Sequence, residues 1–218
     1  MCEKEMIFKD RIDAGKELGK ALKKYKDNNT IVLGLTRGGI PVAFEIAQHL
    51  HVPLDAICIR KLGVPYFPEL GMGAIGPNAV IYNEEIISRL NISKEEVEAV
   101  KIAETAELKR RLIAYRGTET PPDLEEKTVI LVDDGLATGG SMKAAIESVK
   151  SAGAVKVIVG IPVGPPETVA EIRSLVDHLI CLHQPLNFNA VGAYYYLFTQ
   201  VSDEEVKDYL KEAKKITA

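Results

Sequence analysis

The run from Val129 to Ser141 constrains the chain more than any other segment. Val129-Ile130-Leu131-Val132 is apolar, β-rich and uninterrupted, and reads as a buried strand. Asp133 and Asp134 follow at its carboxyl end. A loop of small residues comes next, with hydroxyls at Thr138 and Ser141, and residues 142–152 read as a helix. The strand delivers the acids to the edge of a sheet. The loop and the helix start offer backbone N–H groups to an anion. Carboxylates beside a phosphate repel it, so the pair faces something else: sugar hydroxyls, a metal or a developing positive charge.

The flanking sequence alternates in the same way. Apolar residues at helical spacing fill 10–26, with Asp10 as N-cap. Residues 30–35 form a strand, Thr36-Arg37-Gly38-Gly39 a tight loop, 40–50 a helix and 54–59 a strand, which together suggest a parallel crossover. Residues 61–78 hold prolines, glycines and aromatics without a clear period and are expected to be a loop, the kind that often acts as a lid. A short strand at 79–82 and a helix at 83–90 follow. Ser93 caps a long polar helix reaching Tyr115, with Glu96 completing a capping box. After a Pro-rich connection and the central motif come a strand (155–162), a helix (165–174), a strand (177–182), an irregular aromatic stretch (186–200) and a final helix (203–215). The expected architecture is α/β: a mostly parallel sheet flanked by helices, with a small hood from the C-terminal segment. One domain spans 1–218, with its core at about 30–182 and the hood and last helix at about 185–218. Ligands in such sheets bind at the carboxyl ends of the strands.

Bulk properties exclude several classes. The chain has 218 residues, is 46% hydrophobic and carries a formal charge of −4, which argues against a general nucleic-acid binder. Cys2, Cys58 and Cys181 form no metal or disulfide pattern, and the last two sit in apolar strands as small hydrophobes. No secretory signal is visible at the start, and no apolar stretch reaches the ~20 residues of a membrane span. A cytoplasmic protein without membrane or nucleic-acid partners is expected. Gly71-Met72-Gly73-Ala74-Ile75-Gly76 matches GxGxxG literally, but it follows no strand and precedes no helix, so the dinucleotide reading fails. Residues 135–141 lack a P-loop lysine. An acidic pair also marks receiver domains, but too few strands follow Asp134 for that fold. His49, His51, His178 and His183 are scattered, without partners at metal spacing.

Residues 129–141 resemble the phosphoribosyl-diphosphate signature of type I phosphoribosyltransferases: apolar residues, two acids, then a small-residue loop ending in Thr or Ser. Thr36-Arg37-Gly38-Gly39 resembles that family's diphosphate loop. Ile59-Arg60-Lys61-Leu62-Gly63 resembles the Arg-Lys segment of adenine phosphoribosyltransferases, which opens a mobile loop. The three segments stand in the family's chain order, and the resemblance covers about residues 30–182.

The resemblance implies displacement of diphosphate from C1 of phosphoribosyl diphosphate by a nitrogen of a nucleobase-like acceptor. Asp133 and Asp134 would then hold the ribose hydroxyls and favour the cation that develops on the sugar. Ala137, Thr138, Gly139, Gly140 and Ser141 would wrap the 5-phosphate. Arg37, Gly38, Arg60 and Lys61 would meet diphosphate together with Mg²⁺, which would be held mainly through the ligand and water, with Asp133 and Asp134 as further candidate ligands. Residues 63–76 would close over the cation. Phe188, Val191, Tyr194 and Tyr195 either stack on the acceptor ring or pack the C-terminal helix, and no segment names the base. A homodimer fits the family. The alternative is a non-catalytic sensor of phosphoribosyl diphosphate on the same fold. A nucleotide hydrolase has only the carboxylates in its favour.

Overall fold

The computed structural model describes residues 8–216. Five strands, β1 (Thr30–Leu35), β2 (Leu54–Ile57), β6 (Thr128–Val132), β7 (Lys156–Val163) and β8 (His178–His183), form one sheet in the order β2-β1-β6-β7-β8. Every neighbouring pair is parallel. All five residues of β6 are buried, as its unbroken apolar run requires of a strand covered on both faces.

Side-chain alternation divides the core in two. Leu33, Leu35, Val129, Leu131, Val157 and Val159 point to one face, beneath α5 (Gly140–Ser151) and α6 (Pro166–Arg173). Val32, Ile130, Val132 and Ile158 point to the other, beneath α1 (Arg11–Leu22) and α2 (Gly39–Leu50). Asp10 caps α1 by accepting the Asp13 N–H, as expected. The last helix, α7 (Asp203–Ala213), packs against α2 and against the long helix α4 (Lys94–Arg116), whose Ser93–Glu96 capping box is present.

Residues 61–78 differ from expectation. They hold β3 (Arg60–Val64) and β4 (Phe67–Ile75), an antiparallel hairpin turning at Pro65-Tyr66, which continues with β5 (Val80–Tyr82) into a second, three-stranded sheet. Leu62, Val64, Met72 and Ile75 form its buried cluster. The period was hidden because the register shifts around Gly63, so one strand loses its alternation halfway. β2 also stops at Ile57, two residues short of the expected end, and Arg60 opens β3 instead of closing β2. The short helix α3 (Glu84–Arg89) joins β5 to α4.

The order of strands places the functional region. β1 lies between β2 and β6, so the chain leaves β1 first to one side and returns later on the other. The carboxyl ends of β1 and β6 therefore flank a topological switch point, where the loops diverge and leave a crevice.

Candidate active site

The loops after β1 and β6 meet at that crevice. A Cβ on Gly38 would lie 2.1 Å from Asp134 Oδ2, and one on Gly39 would lie 2.6 Å from the Val132 carbonyl oxygen and 3.1 Å from Asp133 Oδ1. Only glycine allows this approach of backbone to carboxylate. The Thr36–Arg37 peptide is cis. Residues 36–39 and the acidic pair, about 95 positions apart in sequence, thus form one surface.

The two carboxylates differ in surroundings. Asp133 Oδ1 accepts the Asp134 N–H at 2.9 Å. Asp134 Oδ2 accepts from Arg11 Nε and lies 2.8 Å from Nη2 of the same guanidinium. Each acid keeps one oxygen, Asp133 Oδ2 and Asp134 Oδ1, that accepts no hydrogen bond from another of the described residues. Burial, and then the Asp134 charge, push the Asp133 carboxyl well above the usual range. Burial raises Asp134 too, with the Arg11 guanidinium pulling it back. The pair therefore resists carrying two negative charges until cationic or donor groups arrive.

The phosphate-type loop follows. Ala137, Thr138, Gly140 and Ser141 are exposed, whereas Gly139 is buried at φ 77° and N-caps α5. No side chain caps this helix, so its first amides remain free for an anion. Thr168 of α6 fixes the loop from behind by donating to the Ala137 carbonyl at 3.0 Å. A cleft of about 700 Å³ separates Thr138, Gly140 and Ser141 from Lys61 and Tyr82 of the small sheet.

The basic residues singled out in the sequence each lean on an acid. Arg37 Nη1 lies 3.4 Å from Asp203 Oδ1 on α7, and the same oxygen accepts the Tyr115 hydroxyl at 2.7 Å. Arg60 donates to Glu104 of α4 at 2.7 Å. Lys61 donates to the Glu69 carbonyl at 2.9 Å and lies 3.5 Å from its carboxylate. Gly38 lies against the acidic pair, whereas Arg37, in the same loop, turns to α7, and Arg60 and Lys61, both on β3, turn to α4 and β4.

The hood aromatics do not pack the C-terminal helix. Tyr194 and Tyr195 are buried with Phe8, Ala14 and Val163, and Phe188 stacks on Tyr194 at 5.7 Å. The core takes Tyr194, which is 4% exposed. Val191, half-buried, reaches the site: its Cγ1 would lie 2.5 Å from a Cβ on Gly135. The backbone of 194–197 pairs with Phe8 and Lys9, so the N-terminal segment is part of the cover.

Sequence reasoning missed Arg11, Tyr195's link to Asp134 and Phe198. The Tyr195 hydroxyl donates to the Asp134 carbonyl at 2.5 Å, and Phe198 lies 3.9 Å from the Arg11 guanidinium. One local signal existed: Arg11 directly follows an N-cap, the end of a helix where a cation is unfavourable. Cys58 is buried, and burial raises the Cys181 thiol to about 12, so neither thiol is nucleophilic. Cys2 lies outside the described residues. Among the described residues no cluster of three or more His, Cys, Asp or Glu could hold a metal, and no helix is long and apolar enough to cross a membrane.

A parallel sheet whose switch point pairs two carboxylates with a glycine loop and an uncapped helix start is an α/β architecture with a crevice at its strand ends. The chain belongs to the phosphoribosyl transferase family, whose domain model matches residues 9–199. That match extends beyond 30–182 to take in Arg11 and the hood. The chain is 40% identical over 210 residues, 96% of its length, to a Mycobacterium tuberculosis protein provisionally named a phosphoribosyl transferase. It spans about half (47%) of that relative's length. The crystal structure of a Thermus thermophilus protein superposes with a TM-score of 0.80 at 36% identity, covering 95% of this chain and 99% of that one. A 57-residue stretch is 44% identical to the uracil phosphoribosyltransferase of Clostridioides difficile, covering 26% of this chain and 27% of that one.

Proposed function

We propose that the chain is a magnesium-dependent phosphoribosyltransferase. It moves the 5-phosphoribosyl group of phosphoribosyl diphosphate to a ring nitrogen of a nucleobase or related acceptor and releases diphosphate. The carrying observation is the contact of Gly38 and Gly39 with Asp134 and Asp133, beside the open 137–141 loop. It supports a ligand with a sugar at the acids and an anion on either side.

The two remaining carboxylate oxygens suit the 2- and 3-hydroxyls of ribose, one each. The bond from C1 to the diphosphate oxygen breaks as the bond from the acceptor nitrogen forms, and the positive charge that grows on the sugar lies in the field of the acids. Amides of 137–141 and the Thr138 and Ser141 hydroxyls hold the 5-phosphate. Arg37, Gly38, Arg60 and Lys61 receive diphosphate, the cations exchanging Asp203, Glu104 and Glu69 for the ligand. The β3–β4 hairpin excludes water from the cation. Val191 and Phe188 form the wall against the acceptor, with Tyr194 supporting Phe188 from the core.

Asp133 and Asp134 would serve a magnesium mainly through the ligand and water they hold, as hard carboxylate oxygens suit that ion. That ion would neutralise the leaving group. The reading includes a cytoplasmic homodimer that binds neither nucleic acid nor membrane, and light scattering tests its assembly.

Incubating the chain with phosphoribosyl diphosphate, Mg²⁺ and a panel of bases including uracil, and measuring diphosphate release, tests transfer. Asp133→Asn with Asp134→Asn is expected to abolish turnover and leave the fold intact. Undiminished turnover in that variant removes the assignment. A second reading, a sensor that binds phosphoribosyl diphosphate without transferring it, is favoured by one observation: all three cations are already paired. Binding by calorimetry with no release for any base selects the sensor.

A further inference from the structure

We infer that Arg11 is a positioning residue: with Tyr195 and Phe198 it holds Asp134 so that one carboxylate oxygen faces the 2-hydroxyl of the sugar, and so sets how strongly the site reads that hydroxyl. This rests on the proposed function and adds to it a group outside the acidic motif and its two loops.

Arg11 stands where its charge is least welcome. It is the first residue of α1, at the positive end of the helix dipole, and it is only 9% exposed. A buried guanidinium loses its hydration, and a buried ion pair seldom returns that cost as stability. Four contacts nonetheless fix it. Nε and Nη2 both reach Asp134 Oδ2, Nη1 donates to the Thr199 carbonyl at 2.8 Å, and the guanidinium lies over the Phe198 ring.

These contacts close a ring. Phe198 stacks on Tyr195 at 5.0 Å, and the Tyr195 hydroxyl donates to the Asp134 carbonyl. Asp134 is therefore gripped at both ends, carboxylate and backbone, by one assembly. Gly38 closes the remaining side of Oδ2, since a Cβ there would lie 2.1 Å away. With Oδ2 enclosed, Oδ1 is the oxygen left for a ligand. A planar fork with several donors suits this task, because it fixes orientation as well as charge. The assembly also makes the acids unequal: Asp134 pairs with a cation, and Asp133 pairs with none among the described residues.

Ribose 5-phosphate and 2-deoxyribose 5-phosphate share the phosphate and differ by one hydroxyl, so calorimetry with both separates anchoring from hydroxyl reading. The unaltered chain is expected to bind ribose 5-phosphate about ten-fold tighter, as a hydrogen bond to a carboxylate warrants. Arg11→Met should cut that preference to less than about two-fold, with binding of the deoxy sugar nearly unchanged. Arg11→Lys should fall between. Tyr195→Phe keeps the ring packing, loses the grip on the Asp134 backbone and should lower the preference in part. It decides the matter if Arg11→Met does not fold. A full preference in Arg11→Met, or in Tyr195→Phe where that variant alone folds, overturns the inference. So does an equal loss of both sugars, which marks a purely structural role. Equal binding of both sugars by the unaltered chain refutes hydroxyl reading. Failure of the unaltered chain to bind ribose 5-phosphate overturns the proposed function, and this inference with it.

Discussion

Asp133 and Asp134 are adjacent in sequence and unlike in surroundings. Asp133 is held by a backbone N–H without an ion-pair partner among the described residues, and its carboxyl is raised first by burial and then by its neighbour's charge. A carboxyl raised in the folded state costs stability once ionised, and that cost appears as pH climbs from the ordinary carboxylate range through the raised value. Asp133→Asn removes the charge while keeping the shape. It is expected to raise the melting temperature at pH 7 by roughly 2–4 °C for each kcal/mol relieved, less at pH 5, and to lose diphosphate release. Scanning fluorimetry at both pH values checks the sign, and a variant less stable at pH 7 contradicts it. Gly38→Ala acts in the other direction. Its methyl would overlap Asp134 Oδ2, and overpacking of this kind costs about 1–3 kcal/mol. Both stability and binding of phosphoribosyl diphosphate should fall together.

At the scale of elements, the sheet is tied at its rear edge by a single acid. Asp27 accepts from the hydroxyls of Thr30, at the start of β1, and Thr128, at the start of β6, at 2.9 and 2.6 Å. Burial works against its charge, but the hydrogen bonds from Thr128, Thr30 and the Asn29 amide outweigh burial and hold its carboxyl below the ordinary range. That stabilisation is present above the ordinary carboxylate pKa and disappears as pH falls through the lowered one. Asp27→Ala should cost about 1 kcal/mol at pH 7, since the group is exposed, and the difference from the parent should shrink in acid denaturation. Between β3 and α4, Glu104 holds Arg60. If Arg60 serves diphosphate, Glu104→Gln should tighten inorganic diphosphate binding about two- to five-fold at low salt. Unchanged affinity in calorimetry would remove Arg60 from the ligand set.

The same elements show what sequence could reveal. The run 129–141, the loop 36–39 and the capping box at Ser93 are local patterns, each written in residues that touch one another, and the structure keeps them. The β3–β4 hairpin was illegible because Gly63 breaks its period and glycines replace side chains at positions that would have shown it. Arg11 was illegible for another reason. Its partners stand 123 and 188 residues away, and no local pattern records such distances. The hood aromatics were half legible. Their burial could be expected, but their partner is the segment at Phe8, not α7.

At the scale of the whole molecule, a ligand that bridges the loops after β1 and β6 must stabilise the folded state. Phosphoribosyl diphosphate with Mg²⁺ at one hundred times its Kd should add about 2.7 kcal/mol, or roughly 5–11 °C in melting temperature. No shift at saturating ligand would mean that the crevice does not bind it.

The cover of the crevice joins distant parts of the chain: Phe8 pairs with the backbone around Tyr195, and Arg11 meets the Thr199 carbonyl. A ribosome making this protein has synthesised both acids and both loops by Ser141, yet the groups that grip Asp134 are complete only at Thr199. At ordinary translation speeds that interval is roughly 3–12 s. Throughout it, the nascent chain holds the motif that would name its chemistry and lacks the arrangement that would let it act.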